Sequence, residues 1–170
     1  RVDRRQRQMC IRDRSGMKVE SIEVKNIKIA QHMSEETLAF TASLWVNGKR
    51  VGHLKNAGHG GATDIDLYIM KDGRPVRSDY TFDDLDEYVK ENHKDLEYSG
   101  IEFFLYSRIC DEDERRENKK LCRKGTVIRK PGVKYEEGVY DVYEIPYSPG
   151  FAERLRKHFG GDIYILNEHI

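Results

Sequence analysis

The chain has 170 residues, with 30 Lys+Arg against 30 Asp+Glu and three cysteines. No apolar run approaches the length of a membrane-spanning helix, which excludes an integral helical membrane protein. The cysteines are too few and too scattered for a disulfide framework and lack the paired spacing of a zinc site, so they read as thiols of a reducing cytosol.

Residues 1–16 hold six Arg, two Asp and no apolar periodicity. Gln8-Met9-Cys10-Ile11-Arg12-Asp13 is what CAGATGTGTATAAGAGAC encodes, a string that resembles the transposon-end adapter of sequencing libraries. We expect 1–16 to be a non-native, adapter-derived, disordered head, with the natural protein opening at Met17. As natural sequence, the same run would read as a basic arm for nucleic acid. Subtracting its six Arg and two Asp leaves 24 basic against 28 acidic residues over 17–170, a net charge of −4. Such a domain lacks the broad basic footprint of non-specific phosphate binding and leaves only local patches for it.

Val19 to Ala30 alternates as a strand, with a slip near Lys25-Asn26 that suggests a bulge. Leu38 to Val46 alternates clearly, Asn47-Gly48 marks a type I′ hairpin, and Arg50 to Asn56 is the returning strand. A glycine-rich loop, Ala57 to Thr63, precedes a strand over Asp64 to Met70, and Lys71-Asp72-Gly73-Arg74 is a turn. Thr81 opens a helix with a capping box to Asp84 and an apolar stripe of Phe82, Leu85 and Val89. Gly100 starts a second helix, with Ile101, Phe104, Leu105 and Ile109 at helical spacing, that runs on through the charged Asp111 to Lys120 segment.

Gly125 ends that helix, Thr126 to Lys130 is a strand, and Pro131-Gly132 turns the chain into a strand over Gly138 to Ile145. Ser148-Pro149 caps a last helix with Phe151, Ala152, Leu155 and Phe159 on its core side. It stops at Gly160-Gly161, and Asp162 to Leu166 closes the chain as a strand. This order predicts one α+β domain over 17–170, a mostly antiparallel sheet with about three helices on one face.

Two clusters are candidates for ligand contact. In the first, Gly58, Gly60 and Gly61 leave the backbone bare, so that successive amides can converge on an anion, with Asn56, His59 and Thr63 as polar neighbours. The loop matches neither the dinucleotide nor the phosphate-loop pattern, and a tight connection needing positive φ explains it equally. In the second, Lys119, Lys120, Arg123, Lys124, Arg129 and Lys130 form a basic group around a helix C-terminus, where the dipole alone favours cations.

Ten tyrosines, among them Tyr135, Tyr140, Tyr143, Tyr147 and Tyr164, suit either cross-strand packing or stacking on a ligand ring. The acidic runs lack calcium-loop spacing, and nothing in the spacing of His53, His59 or His93 asks for a metal. We expect no metal, no cofactor and no catalytic set. The expected function is binding of a small anionic or nucleotide-like ligand through Asn56, Gly58, His59, Gly60, Gly61, Thr63, Lys120, Arg123, Lys124 and Arg129. A module for a host protein or nucleic acid, an enzyme on a nucleotide-like substrate, and a homo-oligomer stay open.

Several stretches also carry a resemblance: Ile27-Lys28-Ile29-Ala30, Ser34-Glu35-Glu36-Thr37, Phe40-Thr41-Ala42, Val46-Asn47-Gly48-Lys49 and Asn56-Ala57-Gly58-His59-Gly60-Gly61. Near the end, Thr126-Val127-Ile128-Arg129, Tyr147-Ser148-Pro149 and Ile165-Leu166-Asn167-Glu168 add to it. Together they are similar to an uncharacterised family of small proteins encoded by bacteriophages and prophages. The resemblance implies a phage accessory protein in the bacterial cytosol and transfers no chemistry; interference with host defence signalling is the purpose expected of the ligand binding.

Overall fold

A computed structural model describes residues 17–96, 99–130, 132, 140–160 and 163–170. The expected head at 1–16, Pro131, Tyr135, the start of the Gly138 strand and Gly161-Asp162 lie outside them. The described chain is α+β, with three α-helices and nine strands, and every pairing is antiparallel. It forms two compact units, one ending at Cys110 and one spanning Asp111–Ile170. Among the described residues, no helix is long and apolar enough to cross a membrane.

The first unit is built on β1 (Ile22–Ile29), β2 (Ala39–Val46), β3 (Lys49–Ala57) and β4 (Asp64–Asp66), hydrogen-bonded in that order. The slip foreseen near Lys25-Asn26 is a register shift between Lys25 and Lys28, with Asn26 at φ 55°. Asn47 (φ 49°) and Gly48 (φ 73°) form the hairpin turn, which pairs Val46 with Lys49. Asn47 also accepts the amides of Glu20 and Ser21 at 2.8 and 3.0 Å, tying down the chain ahead of β1.

The strand expected over Asp64 to Met70 is two strands, broken at Leu67. β4 stays on β3, whereas β5 (Tyr68–Lys71) leaves the sheet and pairs with β6 (Arg74–Arg77). Asp72 (φ 50°) and Gly73 (φ 75°) make the connection, a second tight hairpin that pairs its flanks locally. Arg74-Pro75-Val76-Arg77 does not read as a strand because proline removes a ladder donor. An outer strand tolerates that loss.

The capping box of α1 (Phe82–Asn92) is formed, with Thr81 N–H on Asp84 at 2.7 Å and Asp84 N–H on Thr81 Oγ1 at 3.3 Å. Its buried stripe is Leu85 and Val89 alone, because Phe82 at the first turn is 45% exposed. α2 (Gly100–Lys124) follows. Leu85 and Val89 of α1 share one core with Ile101, Phe104, Leu105 and Ile109 of α2 and with Phe40, Ala42, Leu44, Val46 and Leu54 of the sheet. In this unit, therefore, the helices cover one face of the sheet.

In the second unit, β7 (Thr126–Arg129) lies between β8 (Asp141–Tyr143) and β9 (Tyr164–Ile165), and all four of its residues are buried. α3 (Pro149–Phe159) begins as expected, with Ser148 Oγ accepting the Phe151 amide at 3.2 Å and Pro149 in the first turn. It ends on Gly160 at φ 85°, a left-handed cap. Ile128, Ala152, Leu155, Ile163 and Ile165 form the core here.

Candidate functional site

The glycine loop is organised by one side chain. Asn56, near the end of β3, is 5% exposed and uses both ends of its amide. Its Oδ1 accepts the Gly58 amide at 2.8 Å and the Thr37 hydroxyl at 3.0 Å. Its Nδ2 donates to the Gly61 carbonyl at 3.0 Å and to Thr63 Oγ1 at 3.4 Å. The Gly58 carbonyl in turn accepts the amides of Glu35 and Glu36 at 2.9 and 3.1 Å. The sequence from Ser34 to Thr37 and the loop after β3 are thus one structure.

That organisation takes up the amides at three of the loop's positions. The Gly58 amide goes to Asn56, the Gly60 amide to Thr37 Oγ1 at 3.3 Å, and the Thr63 amide to Glu102 Oε1 at 2.8 Å. His59 points to solvent and meets Glu35 at 3.0 Å, with both side chains more than half exposed. Gly58 (φ 90°) and Gly60 (φ 81°) adopt the left-handed conformations that the tight-connection reading requires.

Beside this loop lies a cleft of about 390 Å³ lined by Thr37, Asn56, Gly61, Thr63, Ser99, Glu102, Phe103 and Tyr106. Ile101, Phe104, Leu105 and Ile109 turn one side of α2 to the core, which leaves Glu102, Phe103 and Tyr106 to face the cleft. Tyr106 is fixed there by its hydroxyl, which accepts the Leu38 amide at 3.1 Å. Phe103 is 51% exposed. Two aromatic rings, a carboxylate and small hydroxyls thus surround the space. Of the residues expected to bind, Asn56, Gly61 and Thr63 line it, Gly58 and Gly60 shape the loop behind it, and His59 stands outside.

The basic residues belong to the second unit. Arg123 and Lys124 are exposed at the C-terminal end of α2, and Lys120 is paired with Glu117 at 2.5 Å. Arg129 is only 9% exposed on β7. Its guanidinium lies 5.1 Å from the Tyr140 ring centre and 4.9 Å from that of Tyr164, and it donates to the Tyr140 hydroxyl at 3.0 Å. These are the contacts of a packing cation. Tyr143 meets Phe151 edge-on at 6.0 Å and Tyr164 stacks on His169 at 4.5 Å, the packing use of the late tyrosines.

Glu112 accepts from Arg115 Nε at 2.7 Å and from Arg116 Nε at 2.8 Å. The Arg115 hydrogen bond, reinforced by Arg116, lowers its carboxyl from 4.5 to about 2. A depressed carboxylate contributes stability that is fully present above pH 4.5 and lost as the pH falls toward 2. Both arginines are partly solvated, which reduces the effect to about 1 kcal/mol. In urea unfolding, the gap between the protein and Glu112→Gln is expected to be of that size at pH 6 and to close as the pH approaches 2. A gap independent of pH would refute the linkage.

One arrangement was hidden in the sequence. The register of β2, β3 and β4 sets Ser43 opposite His53 and His53 opposite Asp66, on the sheet face away from the core. His53 Nε2 lies 3.0 Å from Asp66 Oδ2, and the Tyr68 ring stands edge-on to the imidazole. Ser43 is only 5% exposed, however, and its hydroxyl accepts from Asn26 Nδ2 at 3.4 Å, with no hydrogen bond to His53. The nucleophile–base contact of acyl-transfer chemistry is therefore not made. Among the described residues, no group of three or more His, Cys, Asp or Glu is placed to hold a metal ion. Compared with known proteins, the chain matches no family model, no curated protein and no solved structure.

Proposed function

We propose that the first unit is a non-enzymatic module that captures a flat, nitrogen-bearing small molecule of the nucleobase or nucleoside kind in the cleft beside the glycine loop. The observation that carries this reading is the lining. Phe103 and Tyr106 offer ring surfaces, and Glu102 keeps one carboxylate oxygen beyond the one held by the Thr63 amide. A carboxylate beside aromatic rings suits a ring edge with N–H donors, and it repels phosphate. The Gly58 and Gly60 amides, which would have welcomed an anion, are already bonded within the protein, which moves the preference from anionic toward uncharged or cationic ligands. The resemblance to phage-encoded proteins supports a setting in an infected bacterial cell, where such capture withholds a signalling molecule from host defence.

Calorimetric titration of the full chain with guanosine, adenosine and cytidine, each beside its 5′-monophosphate, tests the reading. A nucleoside is expected to bind at least as tightly as its monophosphate. Glu102→Gln is expected to weaken it by about 1.5–3 kcal/mol, the cost of losing a hydrogen bond to a charged group. Phe103→Ala is expected to weaken binding without lowering the melting temperature, since the ring is half exposed. Tighter binding of the monophosphates, or indifference to Glu102→Gln, would overturn the proposal.

A further inference from the structure

We infer that the β5–β6 ribbon, with the neighbouring β2–β3 turn, is a docking surface for the backbone of duplex nucleic acid. This surface is separate from the cleft and stands on different residues. All four residues of β6 are exposed, and the register sets Val76 (45% exposed) on one face of the ribbon with Lys71 and Arg74, and Met70 (62%) on the other with Pro75 and Arg77.

Two hairpins bring cations to one place. The β2–β3 turn ends in Lys49 and Arg50, and these share a depression of about 180 Å³ with Ile69, Val76 and Arg77. Asp79 is the one carboxylate in that lining among the described residues. Lys49, Arg50, Lys71, Arg74 and Arg77 form no ion pair among the described residues, unlike Lys120 with Glu117 or Lys130 with Asp141. Unpaired cations on a protein that carries a net charge of −4 over 17–170 mark a place where a polyanion compensates them.

The form of the surface selects the polyanion. A two-stranded ribbon fits the major groove of a duplex, about 12 Å wide, and cations on its rims then reach the flanking phosphates. Val76, on the ribbon face that also carries Lys71 and Arg74, offers an exposed apolar contact for a base methyl group in that groove. Single strands are instead bound on aromatic platforms. The ribbon's one aromatic residue, Tyr68, is half-buried against His53.

The test is fluorescence anisotropy of the full chain with a labelled 20-base-pair mixed-sequence DNA duplex across a range of salt. The arginines at 1–16 are common to all proteins compared, so variants isolate the ribbon. The combined Lys71→Glu, Arg74→Glu and Arg77→Glu variant is expected to bind at least tenfold more weakly. Its salt slope should fall by about one unit for each phosphate contact removed. Arg74→Gln alone, a milder change at an exposed site, is expected to lose about threefold while keeping the parent melting temperature. The combined Lys119→Glu, Arg123→Glu and Lys124→Glu variant is expected to stay within about twofold of the parent. The proposal is overturned if the ribbon variants bind as the parent does, if the α2 variant loses as much, or if a 20-mer of oligo-dT binds as tightly as the duplex.

Discussion

Asn56→Ala is expected to lower the stability of the unit ending at Cys110 by about 3 kcal/mol or more, since each buried polar group left without its partner costs about 1–3 kcal/mol. The side chain closes four hydrogen bonds from a position 5% exposed. Truncation strips the buried Gly58 amide and the Thr37 hydroxyl of their acceptor and releases the Gly61 carbonyl toward the cleft. Asn56→Asp sharpens the test. It keeps an acceptor for the Gly58 amide but sets a carboxylate against the Gly61 carbonyl, so it is expected to cost as much as the alanine. Urea unfolding followed at Trp45, which reports on this sheet, measures both. A loss below about 1 kcal/mol would mean that solvent reaches the loop and that Asn56 does not organise it.

The parts of this fold that could be read from the sequence are those governed by short-range rules. Asn47-Gly48 requires positive φ at both positions, and the structure has 49° and 73° there. Thr81 with Asp84, and Ser148 with Pro149, are caps whose chemistry is complete within four residues, and both form as read. The parting of β4 from β5 could not be read, because Asp64 to Met70 alternates without interruption. Which partner each half takes depends on the second hairpin at Asp72-Gly73, and β6 carries a proline that argues locally against a strand. The bulge at Asn26 was visible as a slip in alternation, because an inserted residue inverts every side chain after it.

The candidate site was half legible for a similar reason. Asn56, Gly61 and Thr63 announce themselves as a polar, glycine-rich loop. The opposite wall comes from α2, some forty residues on, and sequence spacing does not say which strand end a helix face meets. One signal was available: Phe103 is an apolar residue that falls off the Ile101, Phe104, Leu105, Ile109 stripe. A single exposed apolar side chain is common on helices, and Phe103 gains meaning only from standing with Tyr106 on one cleft. Arg129 misled in the other direction. Basic neighbours made it look like part of a surface patch, but all four residues of β7 are buried, so its charge is held between Tyr140 and Tyr164. Ser43, His53 and Asp66 form their row only through register, which no motif search on one chain detects.

Gly58→Ala carries the largest expected effect of any single methyl group in the loop. Gly58 sits at φ 90°, where an L side chain costs about 1–2 kcal/mol by itself. An added Cβ would also run into the Met33 carbonyl and the Ala39 methyl, both fixed in place. Ala39 is 3% exposed at the head of β2, and the Gly58 carbonyl holds the amides of Glu35 and Glu36, so neither side can yield without opening that network. The expected loss is about 4 kcal/mol or more, enough to unfold a unit of ordinary marginal stability. Gly61 is the internal control. It has ordinary φ, and an added Cβ there meets nothing within 4 Å, so Gly61→Ala is expected to fall within about 0.5 kcal/mol of the parent. Gly61 nevertheless lines the cleft, so the same methyl group should weaken nucleoside binding if the ligand rests against the loop. Equal melting temperatures for the Gly58→Ala and Gly61→Ala proteins would show that the loop is not held from behind by residues 33–39, and the assignment of Gly58 to architecture and Gly61 to the binding surface would fall with it.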